Sequence, residues 1–340
     1  MILNVALDTE TYPWRAMLLR KDATCQNACD YCSNSLEKTR FLAIEDLQDW
    51  TAGERGINIV TYPYPGVIED VCSLTGKIVD CGGGPIVVTL GPGALKDISE
   101  LRLLKQAGVA GVCFSLISAT KNLDASVRHG NRSGLSWWDE CWRLTEAAVE
   151  LWGKDRVGLT LSVGLGETEQ QILATMQKAK DMGVLPYVSP LEATAKVKVS
   201  LGKFYRILVG RYLIINQMSS CSQMQFGDFG QVIHFGIPKE RFIEIVASGK
   251  PLEQTGLWLD CSNFGRLEEM SGWFLKGVPD KGEVPTLIGQ ICKMDWREAW
   301  ITQRRVFELE GEDFDEDEIE AGNGSIYKLI AELGRTYQSK

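Results

Sequence analysis

The stretch RVGLTLSVGLGETEQQILATMQKAKDMGVLPYV, residues 156 to 188, decides how the chain folds. It reads as an apolar strand over Arg156 to Val163, a glycine-bearing turn, a helix of about Glu167 to Met182 closed by Gly183, and a strand over Val184 to Val188. A strand, a helix and a strand in this order make a βα unit, whose parallel strands need cover on both faces.

The same rhythm runs back toward the N-terminus. A strand over Ala16 to Lys21 leads into a polar, cysteine-bearing loop and a helix of about Ala43 to Thr51. Strands follow at Ile57 to Tyr62, Pro85 to Leu90 and Val109 to Ile117, with helices at Val67 to Thr75, Asp97 to Gln106 and Ser136 to Leu151. Six such repeats leave a doubly wound sheet or a partial barrel, and we expect a partial (βα)6 barrel of TIM type. In either arrangement ligands bind at the carboxyl ends of the strands, so the cysteine loop, Thr89 to Gly93, Ser115 to Thr120 and Gly164 to Glu167 share one mouth.

Beyond about Ala193 the rhythm breaks. Phe204 to Asn216 reads as a helix, whereas Phe226 to Gly236 and Trp258 to Gly277 show no clear period. The expected organisation is a barrel over residues 1–193, with a cluster loop at 24–36, followed by barrel closure and a C-terminal appendage over 194–340.

Of 340 residues, 44% are hydrophobic and 24% charged, which excludes disordered, collagen-like and coiled-coil chains. Lys and Arg number 36 against 45 Asp and Glu, a net charge of −9. Residues 308–320 carry nine carboxylates and no cation, so this acidic segment holds the whole imbalance. Such a block is repelled by nucleic acid and anionic lipid, and neither is an expected partner; a solvated linker is its plain reading and a protein-docking tail the alternative. No basic leader precedes an apolar core and no window is long and apolar enough to span a membrane, so a cytoplasmic location is expected.

Ten cysteines in such a chain point to ligands, catalysts or small buried hydrophobes rather than disulfides. Two histidines, His129 and His234, are too few for a His-rich zinc site. Cys25, Cys29 and Cys32 form C-x3-C-x2-C in TCQNACDYCSNS, directly after the first strand of the series. Three thiolates on one tight loop can hold three irons of a [4Fe–4S] cluster and leave the fourth open. Packing of positions i, i+4 and i+7 on a helix face is the plain alternative, though Gln26, Asn27, Asp30 and Ser33 to Ser35 read as loop. Zinc would need a fourth ligand, and no Cys or His is nearby.

With Tyr31 before the last cysteine, this pattern resembles the radical S-adenosylmethionine (SAM) superfamily. The resemblance implies that the open iron chelates SAM, that reductive cleavage yields a 5′-deoxyadenosyl radical, and that an electron donor of flavodoxin or ferredoxin type serves the cluster. Ser126-Val127-Arg128-His129-Gly130 and Leu161 to Thr168 are similar to paired segments of the biotin synthase and lipoyl synthase branch. That similarity implies cofactor contacts at Tyr31, Ser115, Arg128, Gly164, Gly166 and Glu167, with Arg128 facing the SAM carboxylate. A glycine turn lets backbone approach an adenosine, and a helix beginning at Glu167 would offer N–H groups.

The resemblance covers residues 16 to 193. A Gly-Gly-Glu-like turn after strand two is absent, with Thr61 to Gly66 in its place, although Gly82-Gly83-Gly84 offers another candidate for the mouth. Ser115-Leu116-Ile117-Ser118 stands where the branch is polar and acidic. Val88 and Leu159 or Thr160 occupy the points where biotin synthase places second-cluster cysteines, and the lipoyl synthase cysteine triplet is missing.

Of the other cysteines, Cys72, Cys113 and Cys141 read as packing and Cys81 as a residue beside the glycine run, while Cys221, Cys261 and Cys292 are candidates for an auxiliary Fe–S cluster. The expected activity is hydrogen-atom abstraction from an unactivated C–H bond of a small-molecule or carrier-bound substrate. Sulfur insertion of the lipoyl or biotin kind, with a partner protein, leads. Carbon-skeleton rearrangement or another cofactor-building step without an auxiliary cluster is the second reading, and a non-catalytic Fe–S scaffold or electron relay the third.

Overall fold

The computed structural model describes residues 4–8, 14–19, 25, 29, 41–43, 57–83, 85–91, 93–128, 136–190, 199–252, 288, 289, 291 and 292. Ten strands are present among them: β1 Asn4–Asp8, β2 Trp14–Leu19, β3 Phe41–Ala43, β4 Ile57–Val60, β5 Ile86–Leu90, β6 Gly111–Ile117, β7 Val157–Val163, β8 Leu185–Pro190, β9 Gln225–Phe226 and β10 Val232–His234. Seven helices accompany them: α1 Val67–Asp80, α2 Ser99–Gln106, α3 Lys121–Val127, α4 Trp137–Trp152, α5 Glu169–Asp181, α6 Leu201–Ile215 and α7 Lys239–Ala247.

The first eight strands form one sheet in the order β3-β1-β2-β4-β5-β6-β7-β8. From β2 to β8 every pairing is parallel, and the strands curl with their helices into a partial TIM-type α/β barrel. At the β2 edge, β1 and β3 extend the sheet by antiparallel pairing. A sequence search for βα units misses this extension, because antiparallel strands need no crossover helix.

The two faces of the sheet differ in chemistry. Ile57, Ile59, Ile86, Val88, Leu90, Val112, Phe114, Leu116, Leu159 and Leu161 alternate outward and join one large core beneath the helices. Each such aliphatic side chain, fully buried, contributes about 1.5–3 kcal/mol. The residues between them face the interior. Val60, Thr89, Cys113, Gly158 and Leu185 form one register row, and Ser115, Thr160 and Tyr187 the next toward the mouth. Val87, Cys113, Leu185 and Tyr187 make a separate apolar cluster deep in this face, while Thr89, Thr160 and Ser162 give it buried hydroxyls.

Helix boundaries follow their caps. The hydroxyls of Ser136, Thr168 and Ser200 accept N–H bonds from Asp139, Gln171 and Lys203, starting α4, α5 and α6. Thr168 and Gln171 form a reciprocal capping box, so α5 begins at Glu169, two residues after the expected start at Glu167. The expected polar loop after β6 contains α3, capped by Thr120. The stretch around 226–236, which shows no period, is the short β9/β10 hairpin with a register shift. The helix expected over Ala43 to Thr51 lies outside the described residues, except that Ala43 ends β3. Among the described residues no helix is long and apolar enough to cross a membrane.

Helix α6 is buried nearly all round and joins the core through Phe204, Tyr205, Ile207, Leu208, Leu213 and Ile214. It packs along α5 and touches β8, where Arg211 donates to the Pro186 carbonyl at 2.6 Å and lies over the Tyr187 ring.

Candidate active site at the strand mouth

Parallel strands end on one side, and Cys29, Arg128, the end of β6 and the turn after β7 are found there. Cys25 and Cys29 are half-buried thiols outside any disulfide, and the Cys29 backbone pairs with Arg128 as an isolated antiparallel bridge. Cys29 thus meets the chain just beyond α3, about a hundred residues later in the sequence. Cys32, Tyr31, His129 and Cys261 lie outside the described residues.

Arg128 is 6% exposed and points inward. Its Nη2 donates to the carbonyls of Ser115 at 2.9 Å and Leu116 at 3.1 Å, and its Nη1 lies 3.4 Å from Asp124 Oδ1. The Ser118 hydroxyl donates to the same Asp124 oxygen at 2.8 Å. Burial pushes the Asp124 carboxyl up, with the Arg128 guanidinium and the Ser118 hydrogen bond opposing. Ser118 belongs to the Ser115 to Thr120 segment expected at the mouth, whereas Asp124 was not singled out in the sequence, although its spacing of four from Arg128 on a short helix was a readable signal.

The turn after β7 is built by Glu167. Its carboxylate, fully buried, accepts the N–H of Gly164 at 2.7 Å and of Leu165 at 2.9 Å. Gly164 and Gly166 hold φ of 114° and 120°, a region that side chains bearing a Cβ rarely enter. Lys203 on α6 closes the clasp, donating to the Glu167 carbonyl at 2.8 Å with its Nζ 3.8 Å from Oε1. Glu167 therefore shapes the glycine turn from below, and the helix whose N–H groups it was expected to begin starts after it.

Beside these elements, Leu90, Gly91, Gly93, Phe114, Ser115 and Trp137 line a shallow depression. Gly93, at φ 76°, lies so close to the Trp137 indole that a Cβ would come within 2.7 Å of it. Gly82 and Gly83 do not reach the mouth. They follow the C-terminal end of α1 and precede β5, at the opposite end of the strands, and Cys81 caps α1 on that same side.

The remaining cysteines are spread through the fold. Cys113 faces the barrel interior, and Cys141 is buried on α4 with its thiol pushed up to about 12 by burial. Cys221 follows α6, its N–H bonded to Gln177 on α5, and Cys292 is buried near Arg206 with burial pushing its thiol up to about 11. Among the described residues no three His, Cys, Asp or Glu side chains gather as a metal site. His234 sits on β10 and accepts the Gly236 N–H at Nδ1.

No protein-family model matches the chain, and no curated protein matches it. Among solved structures the chain is similar to methylornithine synthase, at 16% identity and TM-score 0.44 over 56% of this chain and 59% of that one. It is also similar to HydG, a maturase of the [FeFe]-hydrogenase, at 13% identity and TM-score 0.46 over 86% of this chain and 80% of that one. A third likeness is to HydG from Carboxydothermus hydrogenoformans, at 15% identity and TM-score 0.45, covering 90% and 79%. The chain thus spans under two thirds of the length of the first of these proteins.

Proposed function

We infer that the chain is a radical SAM enzyme, with a [4Fe–4S] cluster on Cys25, Cys29 and Cys32 and SAM bound across the strand ends. The observation that carries this reading is the bridge between Cys29 and Arg128, which brings the cysteine loop to the carboxyl end of β6. There it lies beside α3, whose Val127 packs with Leu165 of the glycine turn.

The donor set fits an iron–sulfur group. The two described thiols are half-buried and in no disulfide, and the spacing of Cys25, Cys29 and Cys32 in the sequence suits three irons of one cluster. The resident cluster and SAM would supply one chemistry, reductive cleavage to a 5′-deoxyadenosyl radical that removes a hydrogen atom from a substrate. The chain's own residues bind, orient and shield. Gly164 and Gly166, lacking Cβ atoms, let backbone approach an adenosine, and Glu167 with Lys203 holds that turn in place. Ser115, Thr160 and Ser162 offer hydroxyls to a polar substrate on the interior wall, and the aliphatic outer face keeps water from behind it.

Within this chemistry, the packing of Cys221 and Cys292 favours a rearrangement or cofactor-building step without an auxiliary cluster over sulfur insertion. Cys221 lies against Gln177 of α5 and Cys292 is buried beside Arg206, and among the described residues no three His, Cys, Asp or Glu side chains gather as a metal site. An external one-electron donor of flavodoxin or ferredoxin type completes the proposal.

Anaerobic reconstitution tests it. About four irons per chain and 5′-deoxyadenosine on adding dithionite and SAM are expected. Iron without deoxyadenosine would turn the reading to a scaffold or electron relay, and no iron would return the cysteines to packing.

A further inference from the structure

Ile117 is a β-branched residue in left-handed backbone, at φ 70°. The Ser118 N–H donates to the Leu116 carbonyl at 2.9 Å, closing a three-residue turn around it, the rare and strained form of γ-turn. The pairing of β6 with β7 shifts register at the same point. Such a conformation persists only where its surroundings over-determine it.

The surroundings are specific. The Ile117 side chain packs against Leu123 and Val127 of α3 and Leu165 of the glycine turn. In regular strand, carbonyls of consecutive residues point to opposite sides, so one guanidinium nitrogen cannot serve both. Here the bulge lets Arg128 Nη2 accept that role for Ser115 and Leu116 together. Asp124 holds the other side of the guanidinium and is itself held by Ser118. The side chains of Asp124 and Arg128 are only 3% and 2% exposed. With its side chain anchored inward, Arg128 has extended main chain, φ −121° and ψ 117°, and this is the backbone that Cys29 pairs with.

We propose that Arg128 is a positioning residue: braced by Asp124 and the Ile117 turn, it fixes the cluster loop to the end of β6 through its main chain, and its guanidinium is not the group that pairs with the cofactor carboxylate. The inference rests on the radical SAM reading for its consequence, but the brace itself belongs to the metal-free fold.

The test uses the full chain and two variants. Arg128→Lys keeps the charge but cannot reach both carbonyls and the carboxylate, and Asp124→Asn keeps the side-chain shape and leaves the Arg128 contacts to the Ser115 and Leu116 carbonyls in place. In metal-free wild type, hydrogen exchange should show protection in the segment around Cys29, which the bridge to Arg128 ties down. In Arg128→Lys, exchange across residues 25–32 should quicken about tenfold while β5 to β7 stay protected, with Asp124→Asn in between. Iron uptake on reconstitution should fall in the same order, and the reduced-cluster spectrum should broaden before SAM is added. The proposal is overturned if the segment around Cys29 shows no protection in wild type, or if both variants keep wild-type loop protection and iron content and lose only the spectral change caused by SAM. Wild type that takes up no iron would sink the radical SAM reading, and the exchange measurement would still decide the brace.

Discussion

Glu169 and Arg206 form a two-pronged ion pair closed off from water. Arg206 Nη2 lies 2.7 Å from Glu169 Oε1, and Nε lies 2.9 Å from Oε2, with both side chains at least 96% buried by exposures of 4% and 3%. Oε2 also accepts the Val232 N–H, and Arg206 Nη1 donates to the Ile291 carbonyl. One pair therefore ties the start of α5 to α6, to the β9/β10 hairpin and to the segment around Ile291. Arg206→Met should cost about 3–5 kcal/mol, because it strands a buried carboxylate. Glu169→Gln combined with Arg206→Met should cost less than the sum of the single changes, since the double variant leaves no uncompensated charge. Urea midpoints for the three variants check this, and additive costs would contradict it.

Glu167 gives a second prediction from hydrogen-bond chemistry alone. Its two oxygens face two N–H donors, those of Gly164 and Leu165. Glu167→Gln changes the shape little, yet sets an NH2 group against one of those donors and removes the charge that Lys203 faces. A loss of about 1–3 kcal/mol is expected. A melting temperature equal to wild type would mean that the carboxylate is not the clasp of this turn.

The barrel strands were legible because their burial writes itself into the sequence. The strand expected over Arg156 to Val163 is observed over Val157–Val163, and that expected over Pro85 to Leu90 over Ile86–Leu90. Both are buried along their full length, so they stand out as unbroken apolar runs. The start of α5 was also legible, since Thr168 and Gln171 are a capping-box pair; the helical period simply reached two residues too far back. Helix α3 was not, because seven residues show two apolar positions of a period, Leu123 and Val127. The partners of the mouth were out of reach for a different reason. Lys203 meets Glu167, and Arg206 meets Glu169, across 36 and 37 residues, and no local pattern encodes such pairings. The strained turn at Ile117 leaves no trace in residue choice, since isoleucine is among the residues least suited to it.

Cys292 bears on the number of clusters. Its thiol is buried and pushed up to about 11, with the Arg206 charge opposing. Among the described residues no three His, Cys, Asp or Glu side chains gather as a metal site around it. Cys292→Ala should leave the iron count of reconstituted protein unchanged, at about four per chain. If wild type held about eight irons and the variant about four, Cys292 would be an auxiliary-cluster ligand and sulfur insertion would regain the lead.

The buried thiols also set how stability responds to alkali. Burial raises Cys141 from 9.0 to about 12, and Cys292 from 9.0 to about 11. Below pH 9 both thiols are protonated whether the chain is folded or unfolded, so their contribution to stability is fully present. Between pH 9 and the raised values the unfolded chain loses these protons and the folded chain keeps them, so rising pH drives unfolding. Each group adds a slope of up to about 1.4 kcal/mol per pH unit in that window. Cys141→Ala removes one titrating group and only a small volume. Its urea midpoint should therefore fall less steeply than that of wild type from pH 9 to 11, while the two proteins differ by a constant amount from pH 7 to 8. Parallel curves across the whole range would show that Cys141 ionises as readily in the folded chain as in the unfolded one, against the burial seen on α4.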